Sequence, residues 1–453
     1  MANISKSNVP QFSVDIYQNE FLPEGGREVN AIVTVTSTGG GTTGGLPLAT
    51  HGPGDVPGSG AGSAAGAAVV IMVDCSGSMD YPPTKMRSAR EATAAAIDTI
   101  RDGVAFAVVA GTHVAKEVYP GNGGVAVAGP ATRHQAKEAL RRLSSGGGTA
   151  IGTWLRLADR LLSTAEVSIR HGILLTDGRN EHEKPEQLRA ALESCAGRFT
   201  CDARGVGTDW EVKELTGIAS ALLGTVDIVA DPSGLEADFR RMMETAMGKE
   251  VADVALRVWT PQGAEIQYVK QVAPTVEDLT ARRSEAGPRA GDYPTGSWGD
   301  ESRDYHVNVV VPAAGVGQEM LAARISLVLP QPDGTPRVLG QGLVRALWTD
   351  DMAASTRINP QVAHYTGQAE LAQVIQQGLE ARKQGDLDSA TAKLGRAVQL
   401  ASASGNDDTA KLLAKVVDVV DAATGTVRLK ARVADADEMT LETRSTKTVR
   451  VKK

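Results

Sequence analysis

Five oxygen-bearing side chains of this 453-residue chain have the types and positions to hold a hard cation. Three sit in the turn "DCSGSMD", where Asp74, Ser76 and Ser78 follow the apolar run "VVIMV". Such a run reads as a buried strand, so the turn delivers one carboxylate and two hydroxyls to a strand's carboxyl end. These oxygens suit Mg²⁺, with Mn²⁺ as the alternative ion, because Mg²⁺ prefers about six oxygen ligands and keeps several waters. Three oxygens from one turn leave that shell incomplete. Two residues at equivalent places can extend it: Thr149 in "SSGGGTAIG", opening a helix, and Asp177 in "ILLTDG", closing a strand. Alone, "DCSGSMD" also reads as a helix start that Ser78 caps; the two distant residues favour the metal.

The surrounding elements predict how the five meet. From 67 to 250, apolar runs such as "AAVVIMVD", "VAFAVVAG" and "CDARGVG" alternate with amphipathic helices near 84–100, 133–143, 151–162, 185–196, 211–221 and 235–247. The pattern predicts an α/β domain with a doubly wound, mostly parallel sheet, whose ligands bind at the carboxyl ends of the strands. Ahead of it, residues 11–37 alternate as N-terminal strands (Phe12, Val14, Ile16; Val29, Ala31, Val33, Val35), and the Gly/Ser/Pro-rich stretch 38–66 reads as a flexible linker. Period-two patterning returns over 251–350, as in Tyr305, Val307, Val309 and Val311. An isolated hairpin is marginal in water, so the N-terminal strands are expected to pair with 251–350, leaving the α/β domain inserted into a β-sandwich.

A C-terminal helical segment follows at 361–425, with Asp386 and Asp407 as expected N-caps. Its stretch "EARKQGDLDSATAKLGRAVQLA" looks like one tetratricopeptide-style hairpin, but solenoids need about three repeats, so a helical cap on the sandwich is preferred. The remainder, 426–453, reads as a mobile basic tail, with phosphorylation-dependent docking as the sharper alternative.

The set Asp74, Ser76, Ser78, Thr149 and Asp177, in this order and on these elements, closely resembles the metal-ion-dependent adhesion site (MIDAS) of von Willebrand factor A (VWA) domains. The resemblance covers about 67–250 and implies a Rossmann-like VWA fold. It further implies that Ser76, Ser78 and often Thr149 bind the metal directly, while Asp74 and Asp177 act mainly through waters, leaving a position for a partner's carboxylate. The layout also resembles cytosolic actinobacterial VWA proteins, which suggests forkhead-associated, kinase or phosphatase proteins as partners.

Other chemistries fit less well. A net charge of −7 supplies no positive field for nucleic acid. The longest apolar run, 67–73, is far short of a bilayer span, and no h-region opens the chain, so a cytoplasmic protein without a membrane partner is expected. Cys75, Cys195 and Cys201 read as reduced thiols. A Ser–His–Asp hydrolase using His171 lacks a G-x-S-x-G elbow, and the glycines before 67 lack a phosphate loop's Gly-Lys-Ser/Thr ending. Glu181, His182 and Glu183 could extend the metal shell, but a charged exposed loop before the helix opened by Pro185 is favoured.

The expected function is a non-enzymatic, divalent-metal-dependent adaptor that binds an acidic residue of a protein partner, selected by the loops 79–83 and 180–184. The alternatives are a regulatory or chaperone-like subunit of an AAA+ ATPase and, third, an enzyme using the metal as a Lewis acid.

Overall fold

The computed structural model describes residues 10–38, 66–331 and 334–451. The expected linker therefore lies, over 39–65, outside the described residues. Contacts divide the chain into two compact units: 66–252 with 297–299, and 10–38 with 253–296 and 300–451. The chain opens with β1 (Gln11–Gln18), β2 (Phe21–Pro23) and β3 (Glu28–Thr38), all in the second unit.

The first unit runs through β4 (Ala67–Asp74), α1 (Thr84–Thr99), β5 (Ala105–Gly111), β6 (Ala115–Tyr119), β7 (Ala126–Val127), α2 (Pro130–Leu140), α3 (Ile151–Ser163), β8 (Ile169–Thr176), α4 (Pro185–Cys195), β9 (Thr200–Val206), α5 (Val212–Ala221), β10 (Val226–Val229) and α6 (Leu235–Met247). Its sheet has the order β10-β9-β8-β4-β5-β6, with β7 also on β5; only β6 and β7 run antiparallel. All eight residues of β4 are buried, which is why its sequence is apolar without alternation. Val69, Ile71 and Val73 pack in one core with Met86 and Ala89 of α1 and Phe239 and Met243 of α6. Each of the larger side chains among them contributes about 1.5–3 kcal/mol on burial. β4 and β8 lie side by side, Val73 opposite Leu175, so Asp74 and Asp177 emerge at the same edge.

The second unit adds β11 (Val251–Trp259), β12 (Glu265–Ala273), β13 (Glu277–Asp278), β14 (Ser284–Gly287), β15 (Ala290–Trp298), β16 (Glu301–Val310), β17 (Glu319–Leu329) and β18 (Arg337–Thr349). They form two sheets, β1-β3-β16-β12-β13 and β14-β15-β11-β17-β18-β2. The N-terminal strands do pair with the later ones, β3 along ten residues of β16 and β2 on β18. The sheets approach closely: a Cβ on Gly340 or Gly342 of β18 would lie 2.8 Å from Val14 or 2.6 Å from Ile16 of β1.

Helices α7 (Met352–Ser355), α8 (Pro360–Lys383), α9 (Leu387–Ser404) and α10 (Asp407–Val416) precede the hairpin β19 (Val417–Asp421)–β20 (Thr426–Leu429) and α11 (Asp435–Arg444). Asp386 caps α9 as expected, but Asn406, not Asp407, caps α10 by accepting the Thr409 N–H. The tail reading of 426–453 also needs correction. Val427 and Leu441 are buried in the helical core, Thr448 N–H donates to Pro274 O at 3.0 Å, and Arg450 pairs with Asp304 at 2.8 Å. The basic residues hid a few apolar anchors and a backbone pairing that composition cannot register. No helix among the described residues is long and apolar enough to cross a membrane.

Candidate metal centre

Asp74 is fully buried where β4 ends. Its Oδ1 accepts the Ser76 N–H at 2.8 Å and its Oδ2 the Thr176 hydroxyl at 2.6 Å, which fixes the carboxylate in one orientation. Burial pushes its pKa up to about 6, against the lowering effect of those hydrogen bonds. The chain then makes a short 3-10 turn, Gly77–Asp80. There the Ser76 and Ser78 hydroxyls lie 2.9 Å apart, and Ser78 Oγ donates to Asp177 Oδ1 at 2.7 Å. Ser78 caps no helix, since α1 begins six residues later behind Pro83. The other oxygen of Asp177 accepts from the Lys85 ammonium at 2.5 Å, a pair that is 5% and 0% exposed.

Thr149 arrives from a separate loop. A Cβ built on Gly178 would lie 3.2 Å from Ser78 Oγ and 3.7 Å from Thr149 Oγ1, so the two hydroxyls border the same point. Two backbone bonds tie the loops together: Gly77 N–H to Gly147 O (2.9 Å) and Gly146 N–H to Cys75 O (2.8 Å). Ser145 also donates to Asp80. From the other side, Thr149 N–H donates to His182 Nδ1 (3.2 Å) and His182 N–H to Thr149 O (3.0 Å). Asn180 Oδ1 and Glu183 Oε1 accept the N–H groups of Ile151 and Gly152 at 2.8 and 2.7 Å, satisfying the first donors of α3. Gly148 is required here, because a Cβ would stand 2.1 Å from the His182 ring.

All five expected residues thus gather at one sheet edge. Sequence reasoning missed the residues that hold them: Thr176 on Asp74, Lys85 on Asp177, and Asn180, His182 and Glu183 around Thr149 and α3. The last three lie in the loop expected to be charged and exposed, where Glu181 and His182 are exposed; Asn180 and Glu183 are half-buried and also sit where a helix N-terminus needs acceptors, a signal available once α3 was placed. His171 stands near the opposite end of β8, bonded to Thr200 and 3.0 Å from Asp202, so it joins no hydrolase site here. Met79, expected in a partner-reading loop, is buried, whereas Tyr81 beside it is 82% exposed.

The donor set fits a hard divalent cation on its own chemistry. It offers three hydroxyls and two buried carboxylates, one of which already takes an ammonium as counter-charge. Among the described residues no group of three or more His, Cys, Asp or Glu is placed to hold a metal ion, so the hydroxyls are essential members of this donor set.

Comparison with known proteins agrees with this geometry. A model of the von Willebrand factor type A domain matches residues 67–228, and one of the von Willebrand factor type A C-terminal domain matches 399–445. A solved structure, the von Willebrand factor type A from Catenulispora acidiphila, is 52% identical over 99% of both chains, with a TM-score of 0.90. The chain belongs to the von Willebrand factor type A family. VWA domains are generally metal-dependent interaction modules, and this chain's domain carries all five residues within 67–228. The C-terminal match covers the end of α9, α10, the β19–β20 hairpin and α11. The ArnB paralog VWA2 from Sulfolobus acidocaldarius shares the fold at 13% identity, covering 96% and 98% of the two chains, TM-score 0.59. Proximal thread matrix protein 1 of the mussel byssus, with a zinc-occupied MIDAS motif, is 26% identical over 40% of this chain and 46% of its own, TM-score 0.34. No curated protein matches the chain.

Proposed function

We propose that this VWA protein is an adaptor whose A domain binds an acidic side chain of a protein partner through a divalent ion, Mg²⁺ or Mn²⁺. The ion would be held by Ser76, Ser78 and Thr149, with Asp74 and Asp177 behind them. The observation that carries this reading is the continuous chain of contacts Asp74–Ser76–Ser78–Asp177, closed by the Thr149 hydroxyl beside Ser78. A bound ion supplies a positive charge that attracts a carboxylate. Thr176 and the Ser76 amide hold Asp74 in place, and the His182 clamp holds Thr149, so the ligands are pre-set and little ordering remains to be done on binding.

Selectivity for one partner falls to the exposed rim, with Tyr81 as a large exposed side chain next to the Ser78 turn. We place this activity in the cytoplasm, as expected from the sequence. An enzymatic reading would need a free general base, and the nearby candidates Glu183 and His182 are engaged in holding α3 and Thr149. Affinity purification of the full chain with Mg²⁺ and with EDTA tests the proposal. Partners recovered only with the metal, and lost in Thr149→Ala, support it; the same partners in all three samples would overturn it.

A further inference from the structure

Lys85 is the charged side chain of the site for which the reading above has no use. It projects from the first turn of α1 and is 5% exposed, so its ammonium has left water to reach the fully buried Asp177. Burying an ammonium costs several kcal/mol unless it is well paired, which makes its placement informative. The contact is divided. Asp177 Oδ2 takes Lys85 at 2.5 Å, while Oδ1, on the side of Ser78 Oγ, is left to the hydroxyls. A second contact, 3.5 Å to Ser78 O, keeps the ammonium beside the turn that carries both serines.

The consequence is a charge count. Asp74 and Asp177 together bring two negative charges when ionised, and Lys85 cancels one of them. A divalent ion entering this site leaves a net charge of +1; entering the same site without Lys85, it would leave zero. Coulomb attraction inside a protein acts strongly over such distances, so the two cases differ in opposite directions for the two guests. A less negative cage binds the cation more weakly, and the loaded site binds an anion more tightly.

We infer that Lys85 is a tuning residue that lowers the site's affinity for its metal in order to raise the loaded site's affinity for a carboxylate. This rests on the metal-site reading. It assigns Lys85 a role that packing alone does not predict, since a purely structural lysine would affect both affinities in the same sense or neither.

The test uses the full chain with Mn²⁺ alone as the first probe, read from the free-ion electron paramagnetic resonance signal. Acetate is then titrated at saturating Mn²⁺ and read by water-proton relaxation. Lys85→Met should bind Mn²⁺ about tenfold more tightly and acetate at least about threefold more weakly. Lys85→Arg, which keeps the charge, should stay within about twofold of the wild type on both. A third readout guards against misfolding: without metal, Lys85→Met should melt lower than the wild type, and Mn²⁺ should raise its melting temperature by more than it raises the wild type's. If the wild type binds Mn²⁺ but Lys85→Met loses both affinities, or changes neither, the tuning role is overturned while the metal site stands. If no form of the protein binds Mn²⁺, the metal site and the tuning role both fail.

Discussion

The two halves of the centre are built by opposite strategies. The Ser76–Ser78 half is local: one fully buried strand ends, and within five residues the chain has presented a carboxylate and two hydroxyls whose backbone turn is its own scaffold. The Thr149 half is assembled at a distance, its loop held on one side by Cys75 and Gly77 and on the other by Asn180, His182 and Glu183. A local turn can place its ligands with few helpers, whereas the distant loop needs a clamp on each flank. Damage should therefore spread differently through the two.

The largest effect is expected at the buried carboxylate that anchors the serine turn. Asp74→Ala should weaken metal binding by about a hundredfold and abolish metal-dependent partner capture, while the fold survives because an ionised carboxylate is lost from a buried place. Calorimetry with Mn²⁺ and a thermal melt of the same sample check both statements. Next comes the clamp. Gly148→Ala alters no proposed ligand, yet its methyl displaces the His182 ring and removes the acceptor for the Thr149 N–H. Metal affinity should fall about tenfold, the size of effect expected for supporting contacts.

A smaller change comes from pH. The Asp74 carboxyl must ionise to serve the metal, and its pKa is raised to about 6, so Mn²⁺ affinity should fall about twofold from pH 7 to pH 6 and more steeply below. For the metal-free fold the sign is reversed. A raised carboxyl pKa gives stability that is present below about pH 4 and lost as pH rises through about 6, so Asp74→Asn should flatten that part of the stability curve. The smallest effect belongs to the local half. Gly77→Ala meets nothing nearer than Gly147 O at 3.5 Å and should leave metal affinity within about twofold of the wild type. A loss as large as that of Gly148→Ala would remove the contrast between the halves.

The same contrast governs what the sequence made legible. Strands and helices of the first unit could be read closely because β4 and β5 are buried on both faces and leave unbroken apolar runs. The five oxygen ligands were visible for a related reason: a polar turn directly after such a run has few explanations. Lys85 stayed hidden because a lysine in the first turn of a helix reads as solvated, and only the position of Asp177 shows otherwise. The loop of Asn180, His182 and Glu183 is exposed in large part, as expected, but its clamping role stayed hidden because its partners lie about thirty residues earlier in the chain. The C-terminal residues were lost to averaging: Val427 and Leu441 are single apolar anchors among charges, and the pairing of Thr446 and Thr448 with the β12–β13 turn is made by backbone.

The pairing of β3 with β16, which brings Val33 opposite Tyr305, fixes an order of events as the chain is synthesised. The first hairpin emerges from the ribosome with its neighbouring strand still untranslated, and the entire parallel-sheet unit is made in the interval. That unit can close on contacts nearer in sequence, while the opening strands must wait, one edge unshielded, for the second instalment of their own sheet. A chain ending at residue 252 would therefore keep all five site residues but leave β3 without β16.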